Sequence, residues 1–112
     1  MDFYKIRFPA GYTINDIHND NIDLHVILPD GDVYFATFFT LLNIKSLMEK
    51  DHITYFWATD MVIVADLRKE TIKSAVQQFV VDECIATVLT KIGNIQSVYG
   101  SDMSYAEIET GI

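Results

Sequence analysis

The chain has 112 residues, half of them hydrophobic and 12% aromatic, which is enough for one domain with its own core and excludes a disordered chain. Sixteen acidic residues against eight basic ones give a formal net charge of −8, and this balance argues strongly against nucleic-acid binding, which needs cations to displace counterions from phosphates. The apolar runs are far shorter than the roughly 20 residues that cross a bilayer, so we expect no membrane association.

Two further features predict a cytoplasmic location. The N-terminal residues lack both the basic start and the apolar run of a signal peptide. Cys84 is the single cysteine, so it cannot form an internal disulfide, which is typical of a reducing compartment. The acidic excess is concentrated in residues 1–32 and 83–112. It serves either to keep the protein soluble or to speed encounter with a basic partner, and the residues leave both readings open.

The first predicted elements are strands. Residues 2–8 alternate in character as a strand does, and a polar connection follows over residues 12–20. Alternation over residues 22–28 then predicts a strand with one apolar face. The run Pro29-Asp30-Gly31-Asp32 is a strong turn signal, so residues 33–38 should form the returning strand of a hairpin.

A helix and a second hairpin are predicted next. Thr40 is a suitable N-cap for a helix from about residue 41 to residue 50. Its apolar residues form a single stripe of Leu41, Ile44, Leu47 and Met48. Residues 55–65 predict two short strands joined by a tight turn. The second strand is apolar at every position, which indicates burial on both faces in the middle of the sheet.

The C-terminal half is predicted to be helical. Asp66 can cap a helix over about residues 69–83, with Ile72, Val76, Phe79 and Val80 facing inward. The helical period continues through residues 84–92, with a bend allowed near residue 82. Residues 95–99 suggest a short strand, and residues 100–112 a loosely ordered tail of a single domain. The expected fold is α+β, with helices packed on a mostly antiparallel sheet of four to five strands.

The pattern of reactive residues argues against catalysis. Three histidines and one cysteine show no metal-ligand spacing, so we expect no metal and no cofactor. Cys84 lies in an apolar helical pattern, where an inert buried thiol is usual. The serines fall in no nucleophile motif, and the five glycines are isolated, so no phosphate-binding loop is present.

Large aromatic residues are the remaining candidates for function. Tyr34, Phe38, Tyr55 and Trp57 fall on neighbouring predicted strands. Core packing would explain them. Alternatively, some of them join Tyr99 and Tyr105 in a contact patch ringed by acids, since tyrosine and tryptophan are enriched at the anchors of protein interfaces. The residues that we assign to such a patch are Tyr34, Trp57, Asp60, Tyr99, Asp102, Tyr105, Glu107 and Glu109.

Two stretches carry a resemblance to known proteins. The run from Asp30 to Thr40, DGDVYFATFFT, is followed by Ile44 and by LMEK at residues 47–50, and YFWATDM occupies residues 55–61. These stretches resemble small bacterial proteins with a "DGxVYFxTFFT…I…LM" run and a "YFWASDM" motif, over about residues 22–82. The chain is similar in size and acidity to immunity proteins of bacterial toxin systems, including contact-dependent growth inhibition.

The resemblance implies a non-enzymatic protein that neutralises a cognate toxin by stoichiometric contact. Many such toxins are nucleases with basic sites, which a partner of charge −8 would occlude by mimicking nucleic acid. The alternative is a structural or regulatory module that self-associates as a homodimer, because a helix layer covers only one face of a sheet. Partner binding and oligomeric state distinguish the two hypotheses.

Overall fold

In the computed structural model, which describes residues 4–112, the chain forms the predicted α+β fold. A five-stranded, mostly antiparallel sheet carries helices. The strands are β1 (Lys5–Arg7), β2 (Asn21–Ile27), β3 (Asp32–Thr40), β4 (Met61–Val64) and β5 (Thr90–Asn94). The helices are α1 (Leu41–Asp51), α2 (Lys69–Val81), α3 (Ile85–Val88) and α4 (Ile95–Tyr99), followed by a 3₁₀ turn at Tyr105–Glu107. Residues 2 and 3 of the first predicted strand lie outside the described residues.

The first three strands form an antiparallel meander, which contains the predicted hairpin of β2 and β3. β2 pairs with β3 in continuous register from Asn21 opposite Phe39 to Ile27 opposite Val33. Gly31 takes a positive φ of 97° in the connecting turn, a conformation that glycine adopts without strain. One face of these strands is fully apolar and packs against α2, whose Ile72 and Val76 are completely buried.

The central strand of the sheet is β3, and the prediction that residues 61–65 form the centre is wrong. β4 pairs on one side only, in parallel with the last four residues of β3, and Ile63 is 50% exposed. The first strand predicted for the second hairpin, over residues 55–58, is absent. The reason is topological. Strands β3 and β4 run parallel, so they need a crossover, and α1 with the segment after it provides the crossover.

Helix α1 starts where predicted. Thr40 is buried, and its Oγ1 accepts a hydrogen bond from the Asn43 N–H at 3.2 Å. Its apolar stripe is only partly covered, because Ile44, Leu47 and Met48 are half-buried and Leu41 is 68% exposed. The periodic pattern predicts a helix with an apolar face, but it does not show that another element covers that face.

Helix α2 begins at the predicted residue, Lys69, and ends at Val81. The prediction that Asp66 caps it is wrong, because Arg68 is the N-cap and the Asp66 carboxylate accepts hydrogen bonds from the Arg68 N–H and the Thr71 hydroxyl. The chain changes direction after the helix. Glu83 has a positive φ of 54°, and the helical pattern predicted over residues 84–92 extends only to Val88. Thr90 then begins β5, which pairs antiparallel with the first half of β3. The short strand predicted over residues 95–99 is the helix α4. Its capping box, in which the side chains of Asn94 and Ser97 bond each other's backbone N–H groups, was not recognised.

A second, smaller cluster covers one end of the opposite sheet face. Ile27 and Val33 are fully buried there beneath Ile95 of α4 and Ile108 of the C-terminal segment. Residues 100–112, expected to be a loosely ordered tail, are placed against β1. The Gly111 N–H donates to the Ile6 carbonyl at 2.6 Å. The two ends of the chain therefore meet at one edge of the sheet.

Candidate interaction surface

The exposed apolar side chains of the described residues are concentrated in one stretch of the chain. Eight large hydrophobic residues are exposed, and five of them fall between residues 41 and 57. We call these five, with their neighbours on α1, the α1 surface. Its exposed members are Leu41, Leu42, Ile53, Tyr55 and Trp57.

The end of α1 folds the chain back to build a groove. His52 adopts a left-handed conformation with a φ of 55°, and the Ile53 N–H donates to the Met48 carbonyl at 3.1 Å. This is the usual way in which a left-handed residue ends a helix. Ile53 thereby lines a groove of about 600 Å³ together with residues from successive turns of the helix. The helical residues of the groove are Leu41, Ile44, Lys45, Met48 and Glu49.

The segment after the helix presents two aromatic side chains to solvent. Phe56 points inward, and its ring lies edge-on to Phe39 with the ring centroids 5.2 Å apart. Its neighbours Tyr55 and Trp57 are 66% and 73% exposed. Together they expose on the order of 300 Å² of mostly apolar surface. An exposed area of this order is at the lower end of the largest apolar patches on typical monomers, which are roughly 300–600 Å² and often functional.

The predicted patch residues do not all reach the surface. Tyr34 is 7% exposed, because its side chain lies on the core face of β3, opposite Val26 of β2. Asp60 lies at the start of β4 with a positive φ of 55°, and its carboxylate accepts a hydrogen bond from Thr90 at 2.5 Å. Asp60 therefore joins the beginnings of β4 and β5. Among the predicted residues, only Trp57 lies on the α1 surface.

Tyr99 and Tyr105 lie in a different region, above basic residues of β1. The Tyr99 hydroxyl is 2.6 Å from Nδ1 of His25, and its ring lies 4.8 Å from the Arg7 guanidinium. The Nζ of Lys5 lies over the Tyr105 ring in the same way, 4.4 Å from the ring centroid. Burial raises the pKa of the Tyr99 phenol, and Arg7 opposes that shift. The neutral hydroxyl can therefore donate to the imidazole.

The two tyrosines and Trp57 lie near opposite ends of β3. Phe39, which packs against Phe56, and Val33, which lies in the cluster under α4, are on the same face of β3. Six residues separate them, which corresponds to about 20 Å along the strand. The sheet face between them carries Phe35 and Thr37, both half-buried. The predicted patch is thus two separate regions.

The tail acids are exposed, and two of them face cations of the same chain. Asp102 lies in the turn before the 3₁₀ segment. Glu107 and Glu109 line a cleft of about 480 Å³ together with Arg7 and Lys69. Opposite charges across this cleft weaken the field that the two glutamates would project toward a partner.

The α1 surface shows which functional candidates the sequence analysis missed. Leu41, Leu42 and Ile53 are absent from the predicted contact patch, although Leu41 belongs to the predicted apolar stripe of the helix. One signal was present in the sequence. Leu41 and Leu42 are adjacent, and adjacent positions on a helix are separated by about 100°, so a single buried stripe does not accommodate both easily.

The described residues offer neither a metal site nor a membrane-spanning helix, and known proteins offer no match. Residues 4–112 contain no cluster of three His, Cys, Asp or Glu side chains placed to hold a metal ion. Over the same residues, no helix combines the length and the apolar character required to cross a bilayer. Comparison with known proteins found no matching family, no matching curated protein and no matching solved structure.

Proposed function

We propose that this protein is a non-enzymatic, cytoplasmic immunity protein that binds a cognate bacterial toxin and neutralises it by stoichiometric contact. The observation that carries the proposal is the α1 surface. Its groove and its exposed aromatic pair are what a protein partner would bury, and they lie within residues 22–82, the region that resembles small bacterial proteins.

The physical case for binding rests on the side chains at this surface. Trp57 and Tyr55 are rigid aromatic residues, and residues of this kind commonly carry most of the binding energy of an interface. The neighbouring groove can accept an apolar side chain from the partner. An interface of standard size buries about 800 Å² on each protein, and the aromatic pair with the groove supplies a substantial part of that area.

Charge supports a basic partner, such as a nuclease with a phosphate-binding site. The net charge of −8 would attract a basic toxin from a distance and raise the association rate. The α1 surface itself carries both signs, with Lys45 and Glu49 as an exposed i,i+4 pair 4.0 Å apart. In this proposal the charge of the whole chain governs encounter, and apolar contact on α1 governs the lifetime of the complex.

The test is co-expression with the product of the neighbouring gene, followed by affinity purification and a growth-rescue assay. We expect a one-to-one complex whose association slows as the salt concentration rises. Trp57→Ala should weaken binding by at least tenfold, as is typical of an aromatic anchor. The matched control is Val81→Ala on α2, another exposed apolar residue outside the surface, which should leave binding unchanged. Absence of both complex and rescue would contradict the proposal.

A further inference from the structure

A different feature, the free edge of β4, carries an inference that does not depend on a toxin partner. We propose that two copies of the chain associate through antiparallel pairing of β4 with β4, about a two-fold axis through Val62. Within residues 4–112, β4 pairs with β3 on one side, and its other side is an edge of the sheet.

The ladder with β3 determines which backbone groups face outward. The Thr37 N–H donates to the Asp60 carbonyl at 3.1 Å, and Thr37 is opposite Met61 in a parallel register. Parallel pairing of this kind turns the N–H and C=O groups of Val62 and Val64 toward β3. The corresponding groups of Met61 and Ile63 therefore point to the outer edge, and no backbone bond from residues 4–112 reaches them there.

This outward pattern is self-complementary. With the axis through Val62, Met61 of one copy lies opposite Ile63 of the other, and each such pair exchanges two hydrogen bonds. The two pairs give four bonds and satisfy every outward group of Met61 and Ile63. Their side chains share one sheet face and Val62 lies on the other, so apolar contacts form on both faces of the extended sheet.

Side-chain chemistry favours a second copy at this edge. Edge strands usually carry a charge that prevents pairing with another chain, but residues 61–65 contain no charged side chain, and Ile63 is 50% exposed. The edge strand β5 shows the contrast, because its second residue is the exposed Lys91. The excess acid of the chain is located elsewhere, in residues 1–32 and 83–112. Two copies can therefore meet at β4 without bringing like charges into direct contact.

The predicted dimer is weak and strengthens with salt. Four hydrogen bonds and three side chains per copy form an interface at the small end of the specific range, where transient complexes are found. Two chains of charge −8 repel each other, and salt screens that repulsion. A complex with a basic toxin should respond to salt in the opposite direction, so the two proposals can fail independently.

Sedimentation velocity on the full chain tests the association. At about 0.5 M salt we expect the mass to rise from the 12.8 kDa monomer toward twice that value as the concentration increases from about 10 µM to about 1 mM. Ile63→Lys should abolish the rise, because it places a charge at the edge. The control Val81→Lys adds the same charge on α2 and should dimerise like the wild type. A monomer at every concentration, or equal effects of both variants, would overturn the proposal.

Cysteine cross-linking tests the register. In a Cys84→Ser background, Val62→Cys should form a disulfide-linked dimer under mild oxidation, because opposed residues at a non-hydrogen-bonded position have Cα atoms about 4.5 Å apart, within the range that a disulfide spans. Ile63→Cys is the matched control, since residue 63 lies opposite residue 61 of the partner and should cross-link at least tenfold more slowly. Faster cross-linking at residue 63 would exclude this register, and no cross-linking at either position would exclude the pairing.

Discussion

His25 illustrates how a single side chain can couple the sheet to the segment that covers it. Its ring lies half-buried on β2, opposite Phe35, and its Nδ1 meets the Tyr99 hydroxyl of α4. Burial is the largest cause that lowers the pKa of His25, and the neighbouring Arg7 lowers it further, while Asp23 acts in the opposite direction. The folded protein therefore favours the neutral imidazole.

We predict that this histidine makes the protein less stable in mild acid. The pKa of His25 is lower in the folded chain than the value of about 6.5 expected after unfolding, so the unfolded chain binds the proton first. The contribution of neutral His25 to the free energy of unfolding is therefore fully present above about pH 6.5, and it decreases as the pH falls below that value. Urea unfolding at several pH values between 7.5 and 5 should show a smaller decline for His25→Gln, whose amide oxygen can still accept from Tyr99. Equal pH dependence of the two proteins would contradict this prediction.

At the scale of the element, α1 and α2 carry similar apolar patterns but differ in what covers them. Leu41 of α1 is 68% exposed, whereas Ile72 of α2 is fully buried against the sheet. The stability of the fold therefore depends on the apolar face of α2 far more than on that of α1. The same difference makes the apolar face of α1 available to a partner.

Two matched substitutions measure this difference. Ile72→Ala should lower the free energy of unfolding by roughly 2–5 kcal/mol, because it removes buried groups and leaves a cavity. Leu41→Ala should change the free energy of unfolding by less than about 0.5 kcal/mol, as is usual for exposed positions. Chemical denaturation of both variants at neutral pH provides the comparison. A loss above 1.5 kcal/mol for Leu41→Ala would indicate that α1 packs more closely than the structure shows.

The sequence predicted those elements whose local signals agreed with their tertiary surroundings. The β2–β3 hairpin followed from alternation and from the turn at Asp30 and Gly31. The start of α2 and its inward-facing Ile72 and Val76 were also predicted, although its N-cap was not. β4 was different. Its apolar run predicts burial on two faces, but the run lies at an edge with Ile63 half exposed. Hydrophobic periodicity depends only on the residues of the segment itself. The position of that segment in the sheet depends on contacts with residues far away along the chain.

The candidate surface was only partly predictable for the same reason. Trp57 was assigned to a contact patch, and it is exposed, but Tyr34 was assigned with it and lies in the core. A strand residue can face either side of the sheet, and an aromatic ring suits both the core and an interface. Which side is covered depends on α2, which begins 29 residues after β3 ends.

At the scale of the whole molecule, the two acid-rich ends of the chain pack together through basic residues. Lys5 of β1 donates to the carbonyl of Ile108 at 2.7 Å and stacks on Tyr105. Ile108 is 3% exposed and completes the cluster over Ile27 and Val33. The C-terminal segment thus supplies core surface that the rest of the chain lacks on that face of the sheet.

Removal of this segment therefore tests whether it belongs to the folding unit. Truncation after Ser101 should lower the free energy of unfolding by roughly 3 kcal/mol or more, since it removes buried Ile108 and exposes two fully buried side chains beneath it. Ile108→Ala should reproduce much of the loss, while Glu109→Ala, at an exposed neighbouring position, should not. Urea unfolding followed by far-ultraviolet circular dichroism provides the comparison. Unchanged stability on truncation would mean that residues 102–112 are a loosely attached tail and that the cluster over β2 and β3 persists without them.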